Sequence, residues 1–528
     1  MSSTLLGPNI VSLDGTEKII IDNSDSASLS ISSTASNYVT TATLSAYVQK
    51  NNPSLALITD GTPDFVTALG QGAGAFTPGT ASVSVAFGYH ALAAQTTGTG
   101  NSGVGYQSLA ALTTATNNTG VGYETLFALT TASNNTAIGY AAGKNISSAT
   151  GNTFIGSQAG GNAVMTGGGN VGIGYLALQF LSSGTHNVAI GQEAMGDAAG
   201  LTGSHNIAIG YATLGAVSTS SYNIAIGEQA LDAITTTTVF SIAIGFQSLK
   251  AVTTGLHNIG IGHSTGIKLT TGAENIAIGY QALNNSAVAQ TTIAIGSNVL
   301  SSYADADTTY NCNSVAIGFN NLTLFTGAVG LAENVAIGNA VMPVMTTGAQ
   351  NVGVGIQALQ SATTPIGFNV AIGTSALGGL TTGAYNTALG HAAGYTIGSG
   401  AGSQTNAVTT ATNCTFIGWQ CGPSSVTARN FQTVIGAQAT GYDAANTITI
   451  GQIGTDTIYT GPAVIGISSV VGGIYTIGTL PSATAALAGA RAFVSNGLVA
   501  TGFGNALAGT GSAVLPVFCT GAGGWIYG

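Results

Sequence analysis

Residues 274–283 read Glu-Asn-Ile-Ala-Ile-Gly-Tyr-Gln-Ala-Leu, and the same phrase returns with small changes as HNVAIGQEAM at 186–195 and ENVAIGNAVM at 333–342. Anchored on the glycine after the second aliphatic residue, twenty copies align between Gly88 and Gly436. Fifteen of the nineteen intervals between anchors are 17 or 18 residues. A recurrence at that period marks a repeat architecture, in which one copy cannot bury a core and stacked copies can.

Each column of the repeat has its own chemistry. The residue before the anchor is apolar in all twenty copies, and the residue three before is β-branched in nineteen, Ser102 being the exception. Side chains alternate along a strand, so these two share one face. Between them stands Ala or Gly in seventeen copies, with Phe154, Phe416 and Val434 departing. Four after the anchor comes Leu or Met in fourteen copies and Gly in five. The expectation is a coil whose Ile/Val column, with Ile190, Ile209 and Ile278 in it, lies inside. The flat Ala/Gly face would pack against identical faces of other copies. The anchors Gly191, Gly210 and Gly279 mark a positive φ or a close backbone approach. Four before the anchor, Asn occupies fourteen copies, including Asn187, Asn206 and Asn275. A ladder of amides capping successive turns explains so many copies better than a ligand site does.

Two short strands and two turns fill 17 residues. The fold class is therefore all-β: a parallel β-solenoid, or flattened β-roll, of about 20 coils of about 17 residues. At one inter-strand spacing per coil, twenty coils extend roughly 95 Å. The divisions follow from where the repeat starts and fades. Residues 1–80 are an N-terminal capping region, to which the resemblance given below adds attachment, with short strands near Ile19–Asp22 and Ser28–Ser32 and a helical turn near 43–50. Residues 81–440 are the repeat, 441–480 are transition coils on a shorter period, and 481–528 form a C-terminal β tip or cap.

Composition removes several classes. Of 528 residues, 79 are Gly and only 5% are charged, with 7 Lys+Arg against 17 Asp+Glu and a net charge of −10. Glycine has no three-residue period, which excludes a collagen. The scarcity of Lys, Glu and Arg excludes helical bundles and coiled coils. Seven cations give nucleic-acid phosphates little to bind. The apolar share of 45% argues against a disordered chain. The N-terminus does not read as a secretory signal, and no apolar run reaches the length of a membrane-crossing helix. The four cysteines, Cys312, Cys414, Cys421 and Cys519, have neither C-x-x-C nor zinc-ligand spacing and read as free thiols.

The N-x-A-I-G phrases quoted above resemble the head repeats of trimeric autotransporter adhesins, and similar repeats occur in bacteriophage tail fibres and in surface proteins of large viruses. The resemblance covers about 85–440. It implies a parallel β-roll with three chains together. This chain departs from the autotransporters in its 17-residue period, against 14 or 15, and in showing no signal peptide, coiled-coil stalk or membrane-anchor barrel. The expectation is accordingly a homotrimeric structural fibre of a virus, a bacteriophage tail or head fibre that mediates host attachment. It would be assembled in the host cytoplasm and displayed on the virion. The N-terminal region would join a baseplate, tail or capsid protein, and the fibre would meet a host surface glycan or protein. No cofactor, metal, nucleic acid, membrane insertion or catalysis is expected. A cellular trimeric adhesin and a polysaccharide-degrading tailspike are the alternatives.

Candidate binding positions are few. Two long coils carry insertions, one with Tyr303, Asp305 and Asp307, and insertions in solenoids gather on one face. Trp419 and Trp525 are aromatic candidates. A column just after the anchor, Tyr89, Tyr106, Tyr123 and Tyr140 among others, either offers stacking platforms for sugars or packs at a contact between chains. His186, His205 and His257 share the column five before the anchor, where stacking is favoured over metal binding. The acidic pair Glu193 and Asp197 suggests no catalytic arrangement.

Overall fold

A computed structural model of the chain describes residues 66–451, apart from 75–82, 198–199, 236–239, 303–312, 326–332, 364–366, 398–403, 408, 424–429 and 442–444, together with strands at 10–13, 19–21, 474–475, 491–497, 513–519 and 525–527. The described residues are all-β, and their centre is one parallel sheet of 22 strands. It runs from Val66–Leu69 to Ile448–Ile450 in chain order, each strand pairing with the next. The register joins equivalent residues of successive copies: Val188 to Ile207, Ala189 to Ala208 and Ile190 to Ile209, then Ile207, Ala208 and Ile209 to Ile224, Ala225 and Ile226. The chain is a β-solenoid of about 19 turns, each about 17 residues from the next. Its first strand, Val66–Leu69, precedes the first recognisable copy of the repeat.

The strands turn the opposite way from the sequence expectation. Ala189 and Ala208 are fully buried, whereas Ile190 keeps 36% of its surface and Ile209 and Ile278 are half-buried. The small column therefore faces the core, and the Ile/Val column faces out along the whole solenoid. The reason is steric. In most coils the turn after the anchor sends in two large side chains, the Leu or Met four after it and a second residue, usually aliphatic, seven after it. Leu109 with Leu112, Leu126 with Leu129, and Leu178 with Leu181 are all fully buried. So narrow a coil has no room for a third large side chain from the strand. A Cβ on Gly260 would already stand 2.6 Å from Cγ of Leu249. The second plug keeps the period of the repeat but varies among Leu, Ile, Val, Met and Phe, with Gln95, Ser286 and Ala362 in three coils, and this variation hides it in the sequence.

The anchor glycines are required by the backbone. Gly191 has φ +135°, and a Cβ there would lie 2.3 Å from the carbonyl oxygen of Gly210 on the next coil. The corners use left-handed residues that are not glycine, such as His205 (φ 59°), Gln229 (φ 53°) and Leu231 (φ 53°). An isolated residue disfavours that conformation by about 1–2 kcal/mol. Here coil-to-coil bonds hold the corners, as in Gln229 N–H to Tyr211 O at 2.9 Å and Tyr222 N–H to Ser204 O at 3.0 Å.

The long coil at 391–417 carries a two-stranded antiparallel excursion, Tyr395–Ile397 with Gln404–Ala407, while Thr387–Leu389 pairs onward with Thr415–Ile417. The chain forms two compact units, Met1–Asp456 and Thr457–Gly528. Outside the solenoid, the first holds the antiparallel pair Ile10–Leu13 and Ile19–Ile21. The second holds a four-stranded sheet of Ile474–Tyr475, Arg491–Gly497, Ala513–Cys519 and Trp525–Tyr527. The expected strand at 28–32 and helical turn at 43–50 lie outside the described residues.

Candidate functional surface

The asparagine column is an internal ladder. Asn187 and Asn206 are fully buried and Asn275 nearly so. Asn206 donates from its backbone N–H to Asn187 Oδ1 at 2.9 Å, and from Nδ2 to the same oxygen at 3.1 Å and to Ser220 O at 2.9 Å. Its own Oδ1 accepts from the N–H and Nδ2 of Asn223 at 3.0 and 3.1 Å. Both polar ends of each amide are thereby satisfied inside the protein, which buried amides require. Where the column breaks, Ser241 continues it, donating its N–H to Asn223 Oδ1 and accepting from Asn258 N–H at 3.1 Å. The ladder is scaffold and offers nothing to a ligand.

What the molecule presents outward is one long face. Outward positions recur at five, three and one before the anchor and at one after it, with the buried Asn and Ala/Gly columns between. The two central columns are β-branched and aliphatic. The two edge columns are rich in rings. On the trailing edge Tyr89, Tyr106, Tyr123 and Tyr140 stack with centroids 5.1, 4.9 and 5.2 Å apart. On the leading edge His186, His205, Tyr222, Phe240 and His257 stack at 5.1, 4.8, 5.5 and 5.7 Å. Each ring packs on the next at the spacing of the coils, so within a run the stacking partner of a ring is another ring of the same chain.

Charge is sparse and lies mostly on the trailing edge and the corner beyond it, with Glu274 and Glu333 on the leading edge. Lys144 Nζ meets Glu124 Oε2 at 2.6 Å, and that bond holds the Lys144 ammonium above its ordinary pKa. Glu193, and more weakly Glu228, raise the Tyr211 hydroxyl. Asp232 and Asp197 approach one point above Gly215, where a Cβ would lie 2.6 Å from Asp232 Oδ1 and 3.0 Å from Asp197 Oδ2. Burial raises the Asp232 carboxyl, with Lys250 opposing and Asp197 adding to the rise. Burial also raises Asp197, with Glu193 contributing. Among the described residues no group of three His, Cys, Asp or Glu is placed to hold a metal ion.

Away from this face, threonine and serine hydroxyls bind coil to coil. Thr113 Oγ1 donates to Thr130 O at 3.1 Å, Thr253 to Thr270 O at 3.2 Å and Thr270 to Ala287 O at 3.0 Å.

Of the sequence-derived binding candidates, Trp419 is exposed at 48% on the trailing edge, directly after the anchor Gly418. Tyr303, Asp305 and Asp307 lie outside the described residues. Trp525 begins the last strand of the C-terminal sheet and pairs with Cys519. Cys414 and Cys421 are buried free thiols, and burial pushes Cys421 up to about 11. No helix among the described residues is long and apolar enough to cross a membrane. No family model, no curated protein and no solved structure matches the chain.

Proposed function

We propose that this chain is a structural fibre protein of a virus, a bacteriophage tail or head fibre, that works as a homotrimer and attaches the particle to a host surface glycan or protein. One observation carries the assembly part of this reading. The outward Ile/Val face runs through the whole repeat, with Ile138, Ile155, Ile190, Ile261, Ile337 and Ile372 each more than one-third exposed. Such a continuous apolar surface on a chain with only 5% charged residues favours burial against another surface. A copy of the same chain matches it coil for coil. Three copies around an axis would cover three such faces and leave the threonine side and the edges to water. This is the reverse of the packing expected from the sequence, where the Ala/Gly face was to meet the partner. The N-terminal region would join the virion, and the far end would meet the host.

The test is adsorption. Purified full-length protein should bind host cells and compete with particles for them, and labelled antibody should mark a projecting appendage in electron micrographs. Protein that neither binds nor competes would remove the attachment role. Depolymerisation of host capsule, abolished by Asp232→Asn or Asp197→Asn, would replace it with the tailspike reading.

A further inference from the structure

Threonine and serine line a second outward face, one corner away from the aliphatic one. Eight before the anchor, each of eight successive coils from Thr97 to Thr219 carries a hydroxyl residue, and six before it seven of the eight do, Gly168 being the exception. Thr114, Thr131 and Ser148 in the first column are exposed, and Thr116 and Ser133 in the second are half-exposed. Between the columns a small residue lies inward, with Ala115 and Ala132 buried. Left-handed residues such as Asn117 (φ 57°) and Asn134 (φ 63°) then turn the backbone onto the aliphatic face. From nine to six before the anchor, none of the eight coils has a charged or aromatic residue.

The face is regular and firmly held. Thr116 donates its backbone N–H to Ser133 Oγ at 2.9 Å, and Thr185 does the same to Ser204 Oγ at 2.9 Å. Asn117 N–H bonds to Thr99 O at 2.9 Å and Asn134 N–H to Thr116 O at 3.0 Å, which keeps successive rows level. The hydroxyls nine before the anchor belong to the scaffold, Thr96 donating to Thr113 O and Thr113 to Thr130 O at 3.1 Å. Their neighbours Thr114 and Thr131 stand exposed. Threonine is β-branched and stiff at χ1, so its methyl and hydroxyl keep fixed places. The result is a two-column lattice with steps of about 4.8 Å along the axis and about 6.7 Å across it.

We infer that this face binds the surface of an ice crystal. The inference is independent of attachment and of self-assembly, since the threonine side stays open to water in both. Oxygen positions on an ice surface repeat at distances close to both steps of the lattice. Waters held by the hydroxyls, and those resting against the methyl groups, therefore fall into register with the crystal along all eight coils. Bridging water of this kind binds nearly as well as a direct hydrogen bond, and its ordering cost is lower when the protein groups are already fixed. The absence of charge suits a neutral water lattice, which an ion would reorganise around itself. A protein partner would instead be held by aromatic or arginine anchors, and this face has none.

The experiment freezes dilute full-length protein slowly onto a cold probe and assays the ice and the remaining liquid. Crystal growth is followed in parallel on a cooling-stage microscope. The unmodified chain should concentrate in the ice and arrest crystals just below the melting point. Thr131→Tyr and Ser148→Tyr each place a bulky ring at an exposed site inside the array. Each should lose most of the partitioning while the unfolding temperature of the protein stays the same. Gln192→Tyr places the same ring on the trailing edge, in the exposed column where Tyr175 and Tyr211 already stand, and should keep the partitioning. Exclusion of the unmodified chain from ice would overturn the inference, and so would ice binding that survives both array substitutions together. Binding to crystalline cellulose that the array variants abolish, with no partitioning into ice, would replace it with a polysaccharide-binding face.

Discussion

Gly160 lies against the ring of Phe154: a Cβ on Gly160 would stand 2.6 Å from Cε1 of that ring. The same ring crowds Gly143 and Gly172, at 3.4 and 2.9 Å from a Cβ on each. Residue 154 belongs to the inward column that is Ala or Gly in seventeen copies, and residues 143 and 160 belong to the plug column that is Leu or Met in fourteen. One phenylalanine from the strand thus fills space that two leucines from the turns fill in other coils. Phe154→Ala should cost about 3–5 kcal/mol by leaving a cavity. Gly160→Leu alone should cost about 1–3 kcal/mol by overpacking. Combining Phe154→Ala with Gly143→Leu and Gly160→Leu should recover most of both losses in urea unfolding. Additive losses would mean that the three sites do not share one space.

The asparagine ladder predicts a graded series. Asn206→Ala leaves the buried N–H of Asn223 without its acceptor and should destabilise by about 1–3 kcal/mol. Asn206→Ser should cost less, because Ser241 fills the same place in another coil. Hydrogen exchange at the Asn223 amide should rise in the Ala variant and change little in the Ser variant.

Gly191→Ala tests the close approach of coils. The substitution puts a methyl group 2.3 Å from Gly210 O, at a φ that side chains avoid. A loss of at least about 2 kcal/mol in thermal unfolding is expected, from backbone strain and steric displacement together. A melting temperature equal to that of the unmodified chain would mean that adjacent coils are not in contact at their anchors.

The architecture was legible in the sequence because the repeat is nearly constant in length, and because Asn, Gly and Leu recur in fixed columns, as at Asn206, Gly210 and Leu214. Which face of the strand points inward was not legible. Ile207, Ala208 and Ile209 alternate equally well in either sense, and the habit of placing isoleucine inside suggests the wrong one. The answer lies outside the strand, in the second plug at positions such as Leu112, Leu129 and Val252, which already fill the coil. The edge chemistry was half visible: the histidine and tyrosine columns stand out in the sequence, but their shared face appears only once Ala208 is known to point inward.

Asp232 gives a pH signature. Burial holds its carboxyl above the ordinary range, so the folded chain binds that proton more tightly than the unfolded chain does. Its contribution to stability is therefore fully present below the unfolded value near about 3.9, and it is lost as pH rises through the higher folded value. Asp232→Asn should raise the melting temperature at alkaline pH, above the raised folded value, and the gain should shrink away in acid, where the carboxyl is protonated in the folded and the unfolded chain alike. A gain of equal size at both pH values would assign it to something other than the charge.

Ile209→Asp separates the coil from the assembly. Ile209 is half-buried on the outward face, so the substitution should leave the strand content of the isolated chain nearly unchanged by circular dichroism. An unpaired carboxylate in the contact between copies should nevertheless weaken association strongly. A large loss of secondary structure with association intact would restore isoleucine to the interior.

Whether copies of the same chain cover the outward Ile/Val face is decided by sedimentation equilibrium of the full-length protein. A species of three times 51.7 kDa that persists on dilution is expected. A single species of 51.7 kDa at every concentration would contradict it.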